Sequence, residues 1–207
     1  MSIQRMIIQL SPRHKQGNRE IEYNGWDFIV EDVLKKLFRS YLFLLAIAVP
    51  VIALDQWTKA IVRANLTIGQ MWAPWEWLTP YARIVHWYNT GVAFGMFQDA
   101  NLLFSILAII VSLGILFYFP RVEANETVLR VALSMQLGGA VGNLLDRIFV
   151  GHVTDFISVG TFPVFNIADS SITLGVAVLL IGIWVQERQE KKAREQDPLT
   201  EINGPSA

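Results

Sequence analysis

The stretch from Gly138 to Ala177, GGAVGNLLDRIFVGHVTDFISVGTFPVFNIADSSITLGVA, sets Asn143, Asp146, Arg147, Asp155, Asn166 and Asp169 against apolar sequence long enough to cross a bilayer. Ionisable side chains at the margin of a membrane segment are costly unless they are paired, hydrated or in use, so such a cluster marks a functional site by default. Asp155 and Asp169 are separated by a short loop and can converge on one point. Gly138, Gly139 and Gly142 suit close helix packing, the common use of small residues in bilayers.

Composition identifies the solvent in which this cluster sits. Hydrophobic residues make up 53% of the 207 and charged residues 17%, with a mean hydropathy of +0.38; soluble domains are less apolar and carry about 25% charge. The formal charge of −1 gives no reason to expect nucleic acid as a partner. With no cysteine in the chain, disulfides, thiolate metal sites and thiol nucleophiles are excluded. His14, His86 and His152 show no ligand spacing, so no metal site and no cofactor is expected.

Four segments meet or approach the length of about 20 apolar residues that a spanning helix needs: 41–62, 102–119, 127–145 and 171–186. The third, carrying Arg130, Ser134 and Gln136, is the least apolar and should face protein along one side. Pro50 interrupts the first, where a kink is expected. The pattern predicts an all-α membrane protein with four transmembrane helices.

Lysine and arginine set the orientation. Arg5, Arg13, Lys15, Arg19, Lys35, Lys36 and Arg39 precede the first helix, and Arg188, Lys191, Lys192 and Arg194 follow the last, whereas the loop from Arg63 to Asn101 holds Arg63 and Arg83 and the Asp-rich loop holds Arg147. The positive-inside bias then makes both termini cytoplasmic and turns the Asp-rich loop outward. Trp72, Trp75, Trp77 and Trp87 lie in the first outer loop, at the headgroup level that tryptophan favours. Arg83 to Tyr88 reads as a short strand ending in an Asn89-Thr90-Gly91 turn, a small extracytoplasmic β element. Residues 1–40 form a cytoplasmic N-terminal extension whose Asp27-to-Phe38 part has an apolar face at helical spacing. Residues 188–207 form a charged cytoplasmic tail.

Five blocks in order carry a resemblance: Asp55-Gln56-Trp57-Thr58-Lys59, Asn89-Thr90-Gly91-Val92-Ala93-Phe94, Gly142-Asn143-Leu144-Leu145-Asp146-Arg147, Val153-Thr154-Asp155-Phe156 and Phe165-Asn166-Ile167-Ala168-Asp169-Ser170. Together they resemble the lipoprotein signal peptidases, also called signal peptidase II. The resemblance implies that 41–187 is a four-helix membrane peptidase of the bacterial inner membrane. It implies an aspartic endopeptidase that removes signal peptides from diacylglyceryl-modified prolipoproteins before the lipid-modified cysteine, with its site toward the extracytoplasmic face. Asp155 and Asp169 match the family's catalytic dyad; Asp55, Lys59, Asn89, Gly91, Asn143, Asp146, Arg147 and Asn166 match its supporting or substrate-binding positions. Thr154 stands where an aliphatic residue is frequent.

Physical chemistry supports the carry-over. Peptide hydrolysis without a metal or covalent nucleophile needs one carboxylate to take a proton from water and one carboxylic acid to donate a proton to the carbonyl. Two nearby carboxyls share a proton because both cannot ionise cheaply. Plainer readings of single residues are a solvated loop carboxylate for Asp155 and a helix-start acid for Asp169. Asn143 and Asn166 can bond carboxylates without adding charge; Asp55 and Lys59, four apart on a helix, can pair; Arg147 can hold a substrate carbonyl or a lipid phosphate. The expected partners are prolipoproteins and membrane lipids, with the chain acting as a monomer. The rival class is a small proton- or ion-coupled transporter, which should show an internal repeat or a midplane site.

Overall fold

The computed structural model describes residues 15–16, 19–20, 25–89 and 101–195. Its order is β1 (Lys15–Gln16), β2 (Arg19–Glu20), α1 (Gly25–Asn65), β3 (Met71–Trp72), β4 (Ala82–Asn89), α2 (Asn101–Tyr118), α3 (Thr127–Phe149), β5 (Val153–Val159) and α4 (Ile167–Glu195). Contacts divide the chain into two units, Met1–Phe43 and Leu44–Ala207, and α1 has residues in both. In the first unit β1 pairs antiparallel with β2. The start of α1 there exposes Ile29, Val33, Leu34 and Phe38, and Glu31 pairs with Lys35 at 2.6 Å. The helix expected at 41–62 thus starts at Gly25, because neither Arg39 nor Ser40 breaks it, and it continues through Pro50.

Among the described residues, four helices are long and apolar enough to span a membrane. Mean hydropathy is lowest in α3, at 1.3 against 1.9 to 2.7 elsewhere, and half of its apolar window is buried against 17% in each of the other three. Helix α3 is therefore the central one, and its polar residues meet protein. Glycine makes the close approach feasible: a Cβ on Gly138 would lie 2.8 Å from Val51 Cβ of α1, and one on Gly142 would lie 2.8 Å from Asp55 Oδ2. On another face of α3, Gly139 meets Ala168 and Ile172 of α4. The small residues read from sequence thus serve two interfaces, an arrangement suited to a bilayer, where packing rather than water exclusion drives association.

The sheet has the order β3-β4-β5, with both pairs antiparallel. The expected strand at 83–88 is β4, extended by one residue at each end. β5 corrects the expectation of a loop from Asp146 to Ser170. Val153 to Val159 carries β-branched and aromatic residues suited to a pleated, half-buried surface. It is bounded by Gly151 and Gly160, whose φ angles of +87° and +52° give the left-handed turns at its ends. After a register shift between Ile84 and Trp87, Trp87 faces Asp155 and Asn89 faces Val153. The aromatic segment before β4 forms a short 3₁₀ turn at Glu76–Leu78, with Trp75 and Trp77 exposed and stacked 6.0 Å apart.

Candidate active site

The start of α4 builds one half of the site. Asn166 Oδ1 accepts from the backbone N–H of Asp169 at 2.9 Å, while the N–H of Asn166 donates to Asp169 Oδ2 at 3.2 Å. This reciprocal pair is a capping box written with Asn and Asp, and it satisfies donors that every helix start leaves open. Asp55 Oδ1 of α1 accepts from the N–H of Ala168 at 2.9 Å. Two negative groups therefore sit against the positive end of one helix, where its dipole favours them.

Strand β5 supplies the other half. Asp155 Oδ1 accepts from Asn166 Nδ2 at 2.7 Å and its Oδ2 accepts from Asn89 Nδ2 at 3.1 Å. Asn166 thus joins both aspartates, one through its side-chain amide and the other through its backbone. Asn143 of α3 completes the link, donating from Nδ2 to Asp169 Oδ1 at 2.7 Å and accepting on Oδ1 from Asn166 Nδ2 at 3.0 Å and from Lys59 Nζ at 2.9 Å. Burial pushes the Asp155 carboxyl up to about 7, with the Asp169 carboxylate adding to the rise and the Asn89 and Asn166 bonds and Lys59 opposing it. Asp155, at 1% exposure, is not a solvated loop carboxylate.

Behind the asparagines lies a charged layer. Lys59 Nζ is 2.8 Å from Asp55 Oδ2 and 3.4 Å from Asp146 Oδ2, with all three side chains fully buried. Arg63 Nη1 reaches Asp146 Oδ1 at 3.2 Å and donates to Thr154 Oγ1 at 3.0 Å. The N–H of Thr154 in turn donates to Asp146 Oδ2 at 2.8 Å. Every charge in this layer has an opposite partner, as buried ions require. Its effect is to clamp the residue preceding Asp155 to α1 and α3.

A cavity of about 830 Å³ opens beside the two aspartates, lined by α2, α3 and α4 and by the Phe162–Phe165 segment. Its wall holds Asn89, Asn143, Arg147, Asp155 and Asp169 at one end and residues such as Leu107, Val111 and Leu174 elsewhere. A mostly apolar groove with a few converging polar groups is the form expected of a binding site.

Residues 47–185 match the family described as Signal peptidase (SPase) II. The chain belongs to the signal peptidase II family. It is 36% identical over 162 residues to the lipoprotein signal peptidase of Anoxybacillus flavithermus, covering 75% of this chain and 93% of that protein. Against the lipoprotein signal peptidase of Acinetobacter baumannii the identity is 40% over 172 residues, covering 76% and 94%. A solved structure of a bacterial membrane enzyme, obtained by the in meso method at 2.3 Å resolution, superposes with a TM-score of 0.64 at 31% identity, covering 75% of this chain and 92% of that one.

Of the positions that carried the resemblance to signal peptidase II, Asp55, Lys59, Asn89, Asn143, Asp146, Asp155, Asn166 and Asp169 form one connected network. Arg147 stands on the cavity wall, its guanidinium 5.7 Å from the Phe104 ring centroid. Gly91 lies outside the described residues. Asp146 and Arg147 take separate partners, as adjacent positions on a helix dictate. Arg63 was missed, although its place four residues beyond Lys59 and eight beyond Asp55 on one helix face was a readable signal. Thr154, noted as a departure, receives the Arg63 hydrogen bond that an aliphatic residue cannot accept. His152 packs edge-on against Tyr88 at 5.5 Å, and burial holds its pKa below the ordinary value.

Proposed function

We propose that Asp155 and Asp169 share one proton and hydrolyse the peptide bond that releases a signal peptide from a diacylglyceryl-modified prolipoprotein. As a signal peptidase II, the chain is a prolipoprotein-processing peptidase of the bacterial inner membrane with four spanning helices; the transport alternative finds no support. The observation carrying the aspartic mechanism is the pair of buried carboxyls joined through Asn166 at the mouth of an apolar cavity.

In the singly protonated pair, one carboxylate takes a proton from water as the water oxygen bonds to the scissile carbonyl carbon. The other carboxyl gives its proton to the carbonyl oxygen. Collapse of the resulting diol returns that hydroxyl proton to a carboxylate and breaks the C–N bond, and the departing amine takes a proton from the carboxyl that first received one. Water is consumed and the pair ends as it began. Asn143 and Asn166 hold the carboxyls without adding charge, and Lys59 keeps the site from accumulating negative potential. Asn89 and Gly91 meet substrate, and Arg147 meets a substrate carbonyl or a lipid phosphate.

Residues 41–187 form the peptidase domain, with 1–40 and 188–207 as cytoplasmic extensions. Both termini are cytoplasmic by the distribution of Lys and Arg, the site faces the extracytoplasmic side, and the chain acts as a monomer among membrane lipids. The test uses purified protein in lipid vesicles with a diacylglyceryl-modified prolipoprotein. Asp155→Asn and Asp169→Asn should each stop processing; undiminished cleavage by both would refute the dyad.

A further inference from the structure

Arg63 ties three elements together on the side of β5 that faces away from the cavity. It lies in the last turn of α1, where the helix dipole favours a cation. Its Nη1 donates both to Asp146 Oδ1 of α3, at 3.2 Å, and to Thr154 Oγ1 of β5, at 3.0 Å. Successive side chains of a strand point to opposite faces. Asp155 accordingly lines the cavity, whereas Thr154 and Arg63 are absent from its wall. The strand needs a hold at this point. Between the pair of Ile84 with Ile157 and the pair of Trp87 with Asp155, Val85 and His86 of β4 stand opposite Phe156 alone. That two-against-one count is a bulge, which disrupts the ladder and bends the strand. The N–H groups of Phe156 and Ile157 both donate to the carbonyl of Phe165, at 3.0 and 2.8 Å. The regular ladder therefore stops at Asp155, and the residue before it is fixed from behind: its N–H by Asp146 at 2.8 Å and its hydroxyl by Arg63.

We infer that Arg63 is a positioning residue for Asp155, acting through the Thr154 hydroxyl to hold the bulged strand where the Asp155 carboxyl meets Asn89, Asn166 and the scissile bond. The inference rests on the peptidase reading. Two acceptors on one planar guanidinium nitrogen define a direction as well as a distance, which a rotating ammonium does not. Proton transfer requires the carboxyl within hydrogen-bond reach of its partner, and a displacement of about 1 Å can cost about a hundredfold in rate. Arg63 touches no part of the cavity in which substrate lies, so its effect falls on kcat and spares KM. Removing it leaves Asp146 with Lys59 at 3.4 Å and Gln56 at 3.4 Å, so α1 and α3 stay joined while Thr154 loses its tie.

The experiment is a double-mutant cycle on full-length protein in lipid vesicles, cleaving one diacylglyceryl-modified prolipoprotein. Thr154→Val should lower kcat by about five- to tenfold, the worth of one net hydrogen bond, with KM within about twofold. Thr154→Ser keeps the hydroxyl and should stay within about twofold of wild type in both constants. Arg63→Leu should lower kcat by about tenfold or more, and adding Thr154→Val to it should cost nothing further, because the two residues act as one unit. Arg63→Gln, whose amide ends two atoms short of Nη1, supplies a second background with the same expectation. The comparison is a ratio within each background, so a loss of folded protein on removing Arg63 cancels. Thr154→Val that leaves kcat unchanged, a cost of Thr154→Val that is the same with and without Arg63, or a loss carried by KM overturns the inference and leaves the peptidase standing. No cleavage by wild type overturns both.

Discussion

Asp155→Asn should destroy activity and, at high pH, stabilise the fold. The wild-type carboxyl is buried on β5 and raised from an ordinary value of 3.8 to about 7, chiefly by desolvation and next by the Asp169 carboxylate. A carboxyl whose folded pKa is raised binds its proton more tightly in the folded state. Its contribution to stability is complete below the unfolded value and is lost as pH rises through the folded one, so the window runs from about 4 to above 7. At about 1.36 kcal/mol for each tenfold in proton affinity, the interval from 3.8 to about 7 corresponds to a loss on the order of 4 kcal/mol across that window. Asparagine has nearly the shape of the protonated acid and does not titrate, so the variant escapes the loss. Equilibrium unfolding of both proteins in mixed micelles at about pH 4 and about pH 9 measures it. The stability of the variant relative to wild type should rise by roughly that amount between the two pH values. Any fixed effect of the amide on Asn89 or Asn166 cancels in this difference. A variant-to-wild-type difference that is the same at both pH values would refute the claim that burial and Asp169 hold the proton on Asp155.

Related consequences follow from the same network. Processing by wild type should fall as pH rises above about 7, when Asp155 gives up the shared proton; His152, held below its ordinary value, cannot be the source of that limb, and a rate still climbing at pH 9 would contradict the assignment. Asn166→Ala removes both the bridge to Asp155 and the cap on Asp169, so cleavage should drop by about a hundredfold or more and stability by about 1–2 kcal/mol, read by kinetics and thermal unfolding. Lys59→Met leaves Asp55 without its cation and Asp146 with Arg63 alone, with an expected loss of about 3–5 kcal/mol; a melting temperature equal to wild type would show the pair to be dispensable. Gly142→Val puts a Cβ 2.8 Å from Asp55 Oδ2, and a destabilisation of about 1–3 kcal/mol should accompany reduced cleavage.

The helices were readable because hydrocarbon leaves little choice: a long apolar segment has to satisfy its own backbone. The polar residues of α3 and its glycines marked it as the helix that touches protein rather than lipid. The strand bearing Asp155 was harder, because β5 finds its hydrogen bonds on β4, more than sixty residues earlier, and local sequence carries no record of that pairing. Arg63 escaped notice for the same reason, since its partners Asp146 and Thr154 lie over eighty residues away.

Hydropathy and motif order are written along the chain, and they suffice to read off the solvent of this protein, its four spanning segments and its two candidate carboxyls. Tertiary structure decided what those carboxyls experience. It buried Asp155 on a strand, joined it to the start of α4 through Asn166 and set the cations behind them. The pKa of an acid is a property of the charges, dipoles and exclusion of water around it, and those come from α1, α3, β4 and α4 together.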